Sequence, residues 1–227
     1  MIMGIWRFFR VWVSGVLGYL IGCILVADIA AKLAARGRAE TVDLRAVGSG
    51  NPGAANVLSN LGKKWGVAVV VGDMTKGVAA AGIGRMIGGN AGAYAAAVGV
   101  VAGHCFPAVA GFRGGKGLAP AAGSSLVAFP AWFVVNLALL GGTYKATKSP
   151  ALASYVTSAA FVLAALAWWR FRLPNLWGTK PTVGLPLYTL LATAMICYRF
   201  LTAPAHMGNR ALGDRPSSGF AGEGSEE

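Results

Sequence analysis

Six stretches of the chain are long and apolar, at about residues 11–31, 66–84, 91–111, 118–142, 149–169 and 184–203. Most approach the ~20 residues an α-helix needs to cross the hydrocarbon core of a bilayer. The first follows Arg7 and Arg10 and precedes Ala34-Ala35, which resembles a cleavable signal. Its length, the presence of Asp28 and its passage straight into a motif-rich loop predict a retained helix instead. The run at 118–142 carries Pro130 in its middle. It is either one kinked helix or two shorter ones joined at Phe129-Pro130.

Loop charge decides between these. With two helices there are seven in all. One side then holds Lys32, Arg36, Arg38, Arg45, Lys63, Lys64, Arg113, Lys116, Lys145, Lys148, Arg199, Arg210 and Arg215, thirteen cations. The other keeps Arg7, Arg10, Arg85, Arg170, Arg172 and Lys180, six. With one helix the split falls to eleven against eight. The expectation is an all-α integral membrane protein with seven transmembrane helices, some short or broken. The N-terminus is outside and the C-terminus cytoplasmic. Residues 1–210 form a single transmembrane domain, and 211–227 read as a polar, disordered tail. Gly and Ala pairs within 77–102 have helix-contact spacing and form no internal repeat.

Composition agrees. Hydrophobic residues make up 56% and charged residues 12%, half the usual ~25% of soluble domains. Thirty-three glycines suit close-packed membrane helices. Together these exclude a soluble enzyme, a disordered chain and a small disulfide scaffold. The net charge of +12 would suggest nucleic acid in a soluble protein. In a membrane protein it reflects basic loops and anionic ligands, so nucleic acid is not an expected partner. Cys23, Cys105 and Cys197 are odd in number and fit no metal or redox spacing. They read as packing residues, and no metal site is expected.

Three segments carry chemistry, and the seven-helix arrangement puts all of them on one side. In Arg45-Ala46-Val47-Gly48-Ser49-Gly50-Asn51-Pro52-Gly53-Ala54-Ala55-Asn56, glycines free the backbone amides to form an anion-binding nest. The same segment also reads as a helix cap, with Asn51 or Ser49 capping and Pro52 at the first helical position. Gly111-Phe112-Arg113-Gly114-Gly115-Lys116-Gly117 opens a helix and could cradle phosphate, although it lacks the nucleotide-binding GxxxxGK[ST] spacing. Otherwise it is a flexible basic turn. His206-Met207-Gly208-Asn209-Arg210 could handle a proton and an anion, or simply end a helix. Asp73 and Lys76 lie inside an apolar run, where ionisable groups are paired or functional, and their spacing allows an intrahelical pair. His104 sits in Gly103-His104-Cys105-Phe106-Pro107, as a site residue or a buried hydrogen-bonding one.

These blocks resemble the bacterial acyl-phosphate:glycerol-3-phosphate acyltransferases of the PlsY type. Ser49 to Leu58, Leu61-Gly62-Lys63-Lys64 and Asp73-Met74-Thr75-Lys76-Gly77 are similar to the family's first motif region. Gly103 to Pro107 followed by Gly111 to Ala119 is similar to the second, and His206 to Arg210 loosely to the C-terminal element. The resemblance implies a multi-pass enzyme of the bacterial plasma membrane, with its site facing the cytoplasm. It would move a fatty acyl group from acyl phosphate to the 1-hydroxyl of glycerol 3-phosphate, giving lysophosphatidic acid and phosphate. Neither acyl-CoA nor a metal or cofactor is implied. The partners are the two substrates and membrane lipids, with room for a partner enzyme that makes acyl phosphate or for a membrane complex.

Carried onto this sequence, His206, Ser49, Asn209 and Lys116 are the expected catalytic residues. Gly48, Gly50, Asn51, Asn56, Gly114, Gly115, Gly117, Arg45, Asp73 and His104 are the expected substrate-binding residues. The chain departs from the family pattern at Ala55, Ser59, Pro120 and Ala151, and at Gly22-Cys23-Ile24-Leu25. Two other readings stay open, a catalytically silent subunit of a membrane complex and an organic-anion transporter.

Overall fold

The computed structural model describes residues 2–36 and 41–203. These fold into helices α1 (Ile2–Gly22), α2 (Val26–Ala34), α3 (Ala54–Leu61), α4 (Lys63–Cys105), α5 (Leu118–Ala128), α6 (Pro130–Thr147), α7 (Pro150–Phe171) and α8 (Gly184–Leu201). No strand occurs among the described residues. Four segments are long and apolar enough to cross a membrane: Met3–Ala34, Lys63–Ala110, Pro150–Phe171 and Gly184–Leu201. Large apolar side chains such as Val134, Leu163 and Leu201 point outward. That is costly in water and expected against lipid. The protein is an integral membrane protein.

The long α4 is a hairpin. Gly88 and Gly89 leave helical geometry, and Gly89 takes a positive φ of 61°. A Cβ added to Gly84 would overlap the carbonyl of Gly92, and the reverse holds too. The two arms therefore cross backbone to backbone just before and after the bend. Further along the same arms, Lys76 meets His104, so they run antiparallel side by side. Counting the arms separately gives seven bundle segments: α1, the two arms, the short α5, α6, α7 and α8.

Those segments alternate between two ends of the bundle. The break before Pro130 resolves into two helices, with proline at the start of α6, where no amide hydrogen is needed. The turn between them is pinned by Asn175, whose Nδ2 donates to the Ala128 carbonyl at 2.9 Å.

The first apolar run is not one helix. Instead, α1 starts earlier than the run and stops at Gly22, and α2 follows after a three-residue turn. The cause is a buried cation. Lys76 Nζ donates to the carbonyls of Gly22 at 3.1 Å and Ile24 at 2.9 Å, satisfying groups that a helix C-terminus leaves open.

Glycine spacing explains the tightest seam. Gly15, Gly18 and Gly22 of α1 face Ala96, Gly99 and Gly103 of the second α4 arm. A Cβ at Gly18, Gly99 or Gly103 would overlap opposing backbone. This is the small-residue packing that lets membrane helices approach closely. The remaining core mixes small aliphatic side chains with aromatic pairs, Phe129 stacked on Phe161 at 5.7 Å and Tyr94 on Tyr188 at 6.2 Å.

Candidate active site

The first glycine loop connects α2 to α3. Gly48 and Gly50 adopt left-handed φ of 57° and 64°. The loop is folded around Asn56, which is buried at 4% exposure. Its Nδ2 donates to the carbonyls of Leu44 at 2.8 Å and Val47 at 3.1 Å. Its Oδ1 accepts the Ser49 amide at 3.0 Å and Asn60 Nδ2 at 2.9 Å. Those bonds use both donors and both lone pairs of the amide, so Asn56 serves as an internal splint for the loop. A Cβ at Gly48 would overlap Asn56 Oδ1. Ser49, Gly50 and Asn51 remain half-buried and Gly48 exposed, so the loop offers its outer edge to a ligand. The capping alternative shifts. Helix α3 starts at Ala54, Gly53 occupies the cap position without a side-chain bond, and Pro52 precedes the helix.

Arg45 ties this loop to its neighbours. Its guanidinium grips Asp28 of α2 in a two-pronged pair at 2.9 and 3.0 Å. Its Nε donates to the Arg113 carbonyl at 3.1 Å. One side chain thus joins both glycine loops, which are 68 residues apart in sequence.

The second loop lies across the end of the α4 hairpin. The Gly115 amide donates to the His104 carbonyl at 2.9 Å. The imidazole Nε2 of His104 lies so close beneath Gly115 that a Cβ there would overlap it. From α8, Arg199 Nε donates to the Gly115 carbonyl at 3.1 Å, and its Nη2 to the Gly114 carbonyl. Arg199 claims those carbonyls, and Gly114, Gly115 and Gly117, expected to bind substrate, are themselves buried. Lys116 ends up half-buried, its Nζ 4.1 Å from the Phe200 ring centre. Burial, reinforced by the nearby Arg199 charge, pushes its ammonium below the ordinary lysine range. Gly117, at φ 85°, opens α5.

Below the loops sits a closed polar cluster. Lys76 Nζ lies 2.8 Å from Asp73 Oδ1, the pair that their spacing allows, and 2.9 Å from His104 Nδ1. All three residues are buried. His104 and Asp73 therefore sit under Gly115, shielded from the surface that carries Ser49 and Lys116. His206 and Asn209 lie outside the described residues.

Two features escape the sequence pattern. Arg199 counts there only as a loop charge, yet it fixes the second loop's conformation. A small chamber of about 40 Å³ lies between α5, α6, α7 and α8, beginning at Leu118 just past the loop. Asn136, Ser154 and Thr157 line it, each with a buried oxygen that makes no hydrogen bond within the protein. The signal was present as hydroxyls at 154, 157 and 158 inside an apolar run, one helix face of α7. Among the described residues no cluster of His, Cys, Asp or Glu could hold a metal ion.

The sequence profile of the family described as glycerol-3-phosphate acyltransferase matches residues 12–209. This chain belongs to that family. The glycerol-3-phosphate acyltransferase of Thermoanaerobacter pseudethanolicus is 39% identical over 156 residues, covering 69% of this chain and 76% of that one. The one from Pseudomonas paraeruginosa is 34% identical over 190 residues, covering 83% and 91%. Two crystal structures of PlsY (YgiH), an integral membrane glycerol 3-phosphate acyltransferase, are similar as well. The glycerol 3-phosphate form superposes with a TM-score of 0.66 at 31% identity, covering 85% of this chain and 87% of that chain. The lysophosphatidic acid form gives 0.66 at 28%, covering 83% and 87%. In this chain, the two loops and Arg199 gather at one end of the bundle.

Proposed function

We propose that this protein transfers a fatty acyl group from acyl phosphate to the 1-hydroxyl of glycerol 3-phosphate, at the cytoplasmic face of the bacterial plasma membrane. The observation that carries the reading is Arg45 locking two glycine loops together at one end of a membrane bundle, with Lys116 beside them. Two phosphate-bearing substrates need two anion cradles that open on one space. Membership of the glycerol-3-phosphate acyltransferase family supports the same substrates.

Acyl phosphate is a mixed anhydride, already activated. The task is to hold two anions and align a hydroxyl with a carbonyl carbon. The glycerol oxygen attacks that carbon, the bond from carbon to the phosphate oxygen breaks, and the phosphate departs with the electron pair. Lys116, the half-buried cation of the second loop, holds the leaving phosphate as charge grows on it. Ser49 and the 48–51 turn contact the second phosphate or the attacking glycerol. His206 accepts the hydroxyl proton and Asn209 orients the glycerol. Asp73, Lys76 and His104 support the second loop from below, and Asn56 supports the first. A partner enzyme delivers acyl phosphate from the cytoplasm or membrane surface.

The seven bundle segments alternate between the two ends, which supports seven crossings. At about 1.5 Å per residue, the 11 residues of α5 reach only part of the way across. The test is purified protein in liposomes with acyl phosphate and glycerol 3-phosphate, following phosphate release and lysophosphatidate together. Equal rates of both are expected. Lys116→Ala should lower turnover by roughly 10²–10³, the cost of removing one donor to a developing anion. Unchanged turnover in folded Lys116→Ala would overturn the cradle.

A further inference from the structure

A second feature lies at the end of the bundle away from the glycine loops. That end comprises the start of α1, the bend of α4, the α5–α6 turn and the connection from α7 to α8. Arg85 donates to the carbonyls of Trp177 and Gly178 there. Among the described residues this end carries Arg7, Arg10, Arg85, Arg170, Arg172 and Lys180, all exposed. The three described acids, Asp28, Asp43 and Asp73, all sit toward the other end. The positive charge at this end is thus uncompensated by any described acid, and the acyl-transfer reaction has no use for it.

A cleft of about 640 Å³ opens on the same end. It is a groove between α1 and α8 floored by the second α4 arm. Its walls are one-turn pairs, Arg7 with Val11 on α1 and Leu187 with Leu191 on α8. Its floor is Ala91, Ala95 and Val98, one face of a helix with small side chains at the shallow end. From Ala91 to Val98 the apolar floor runs about 10 Å toward the middle of the bundle. Arg7 stands at the polar mouth with Asn90 and Thr182. Cation, hydrogen-bonding rim and descending apolar channel follow the order of a lipid molecule.

We propose that this groove binds one anionic phospholipid of the leaflet at that end. Its headgroup phosphate pairs with Arg7 within the acid-free basic collar, and one acyl chain lies along Ala95, Val98 and Leu191. A free phosphate would gain nothing from the apolar floor, and a zwitterionic lipid would bring a second cation into the collar. The site is separate from the glycine loops, so it stands or falls independently of the acyltransfer reading.

The test uses the full-length protein in nanodiscs containing equal phosphatidylglycerol and phosphatidylcholine. Retained lipid is counted by native mass spectrometry after transfer to detergent. One phosphatidylglycerol should be kept in preference to phosphatidylcholine. Arg7→Gln should lower its occupancy by about five-fold, the effect of one basic residue at an anionic lipid surface. Arg172→Gln removes a charge from the same end outside the groove and should change occupancy by less than about two-fold. Phosphatidylglycerol with a photoreactive acyl chain should cross-link within 91–98 and 187–191.

Equal loss in both variants, no headgroup preference, displacement by inorganic phosphate, or cross-links spread evenly onto Val134 and Leu163 would each overturn the proposal. If Arg7→Gln fails to fold, the cross-linking pattern on the unaltered protein decides.

Discussion

Asn56 and Lys116 show how single side chains set the two loops. Replacing Asn56 with alanine strands two loop carbonyls and the Ser49 amide that now bond to it. Each buried orphan costs about 1–3 kcal/mol. Asn56→Ala should therefore lower the thermal midpoint and raise KM for glycerol 3-phosphate more than it lowers kcat, because the loop loses its shape while Lys116 stays in place. Steady-state kinetics on the detergent-solubilised protein separate the two effects. A pure kcat loss would instead place Asn56 in the chemistry. Lys116 predicts a pH dependence with a definite sign. Its ammonium is pushed below the ordinary lysine range, and phosphate binding needs it charged. Activity should therefore fall with rising pH before an ordinary lysine would deprotonate. In the window between the lowered folded value and the unfolded one, the unfolded chain binds more protons, so stability should rise with pH while activity falls. Lys116→Arg, which stays charged, should move the alkaline limb upward in a rate–pH profile.

At the level of elements, periodicity and proline placed nearly every helix, because a bilayer span is a long-run property of composition. The break at Phe129-Pro130 was visible for the same reason, since proline removes a donor wherever it falls. The end of α1 at Gly22 was not visible. It depends on Lys76, which reaches back 54 residues to cap the helix, and no local pattern encodes that bond. The loops showed their glycines but not their use. Asn56 looked like a ligand-facing amide because its four partners are set by the folded loop. Arg199 looked like an ordinary surface charge because Gly114 and Gly115 come beside it only after α8 has packed. The Gly and Ala spacing within 77–102 of α4 was readable as contact spacing, its α1 partners were not, and the seam carries a prediction. Gly99→Leu would drive a side chain into the backbone of Gly15. It should destabilise by about 1–3 kcal/mol or more, the range for overpacked cores. Gly82→Leu, where an added Cβ meets nothing within 4 Å, should stay within about 0.5 kcal/mol of the parent, as surface changes do. Thermal unfolding in one detergent compares them. Similar losses in both would show that the seam does not govern stability.

For the whole molecule, the open matter is which end faces the cytoplasm, and charge argues it. The glycine-loop end gathers thirteen cations in the seven-crossing arrangement, the other end six. The positive-inside bias assigns the richer end to the cytoplasm. The acid-free collar around Arg7 then faces outward. It is the smaller of the two positive sets, but its charges lack the acidic partners that Asp28 provides to Arg45 at the loop end. The proposed reaction argues for the same polarity, because glycerol 3-phosphate is doubly charged and cannot cross a bilayer unaided. Cysteine labelling tests this directly. Cys23 and Cys197 are half-buried and Cys105 buried, so all three can be replaced by serine or alanine to give a silent background. Single cysteines at Ser59 on α3 and Arg172 beyond α7 are exposed and mark opposite ends. A membrane-impermeant thiol reagent added to intact cells should label position 172 and reach position 59 only after the membrane is opened. Labelling of 59 from outside would invert the topology and place both anion cradles away from their substrates. Labelling of both positions from outside would show that fewer segments cross than the seven that alternate in the fold.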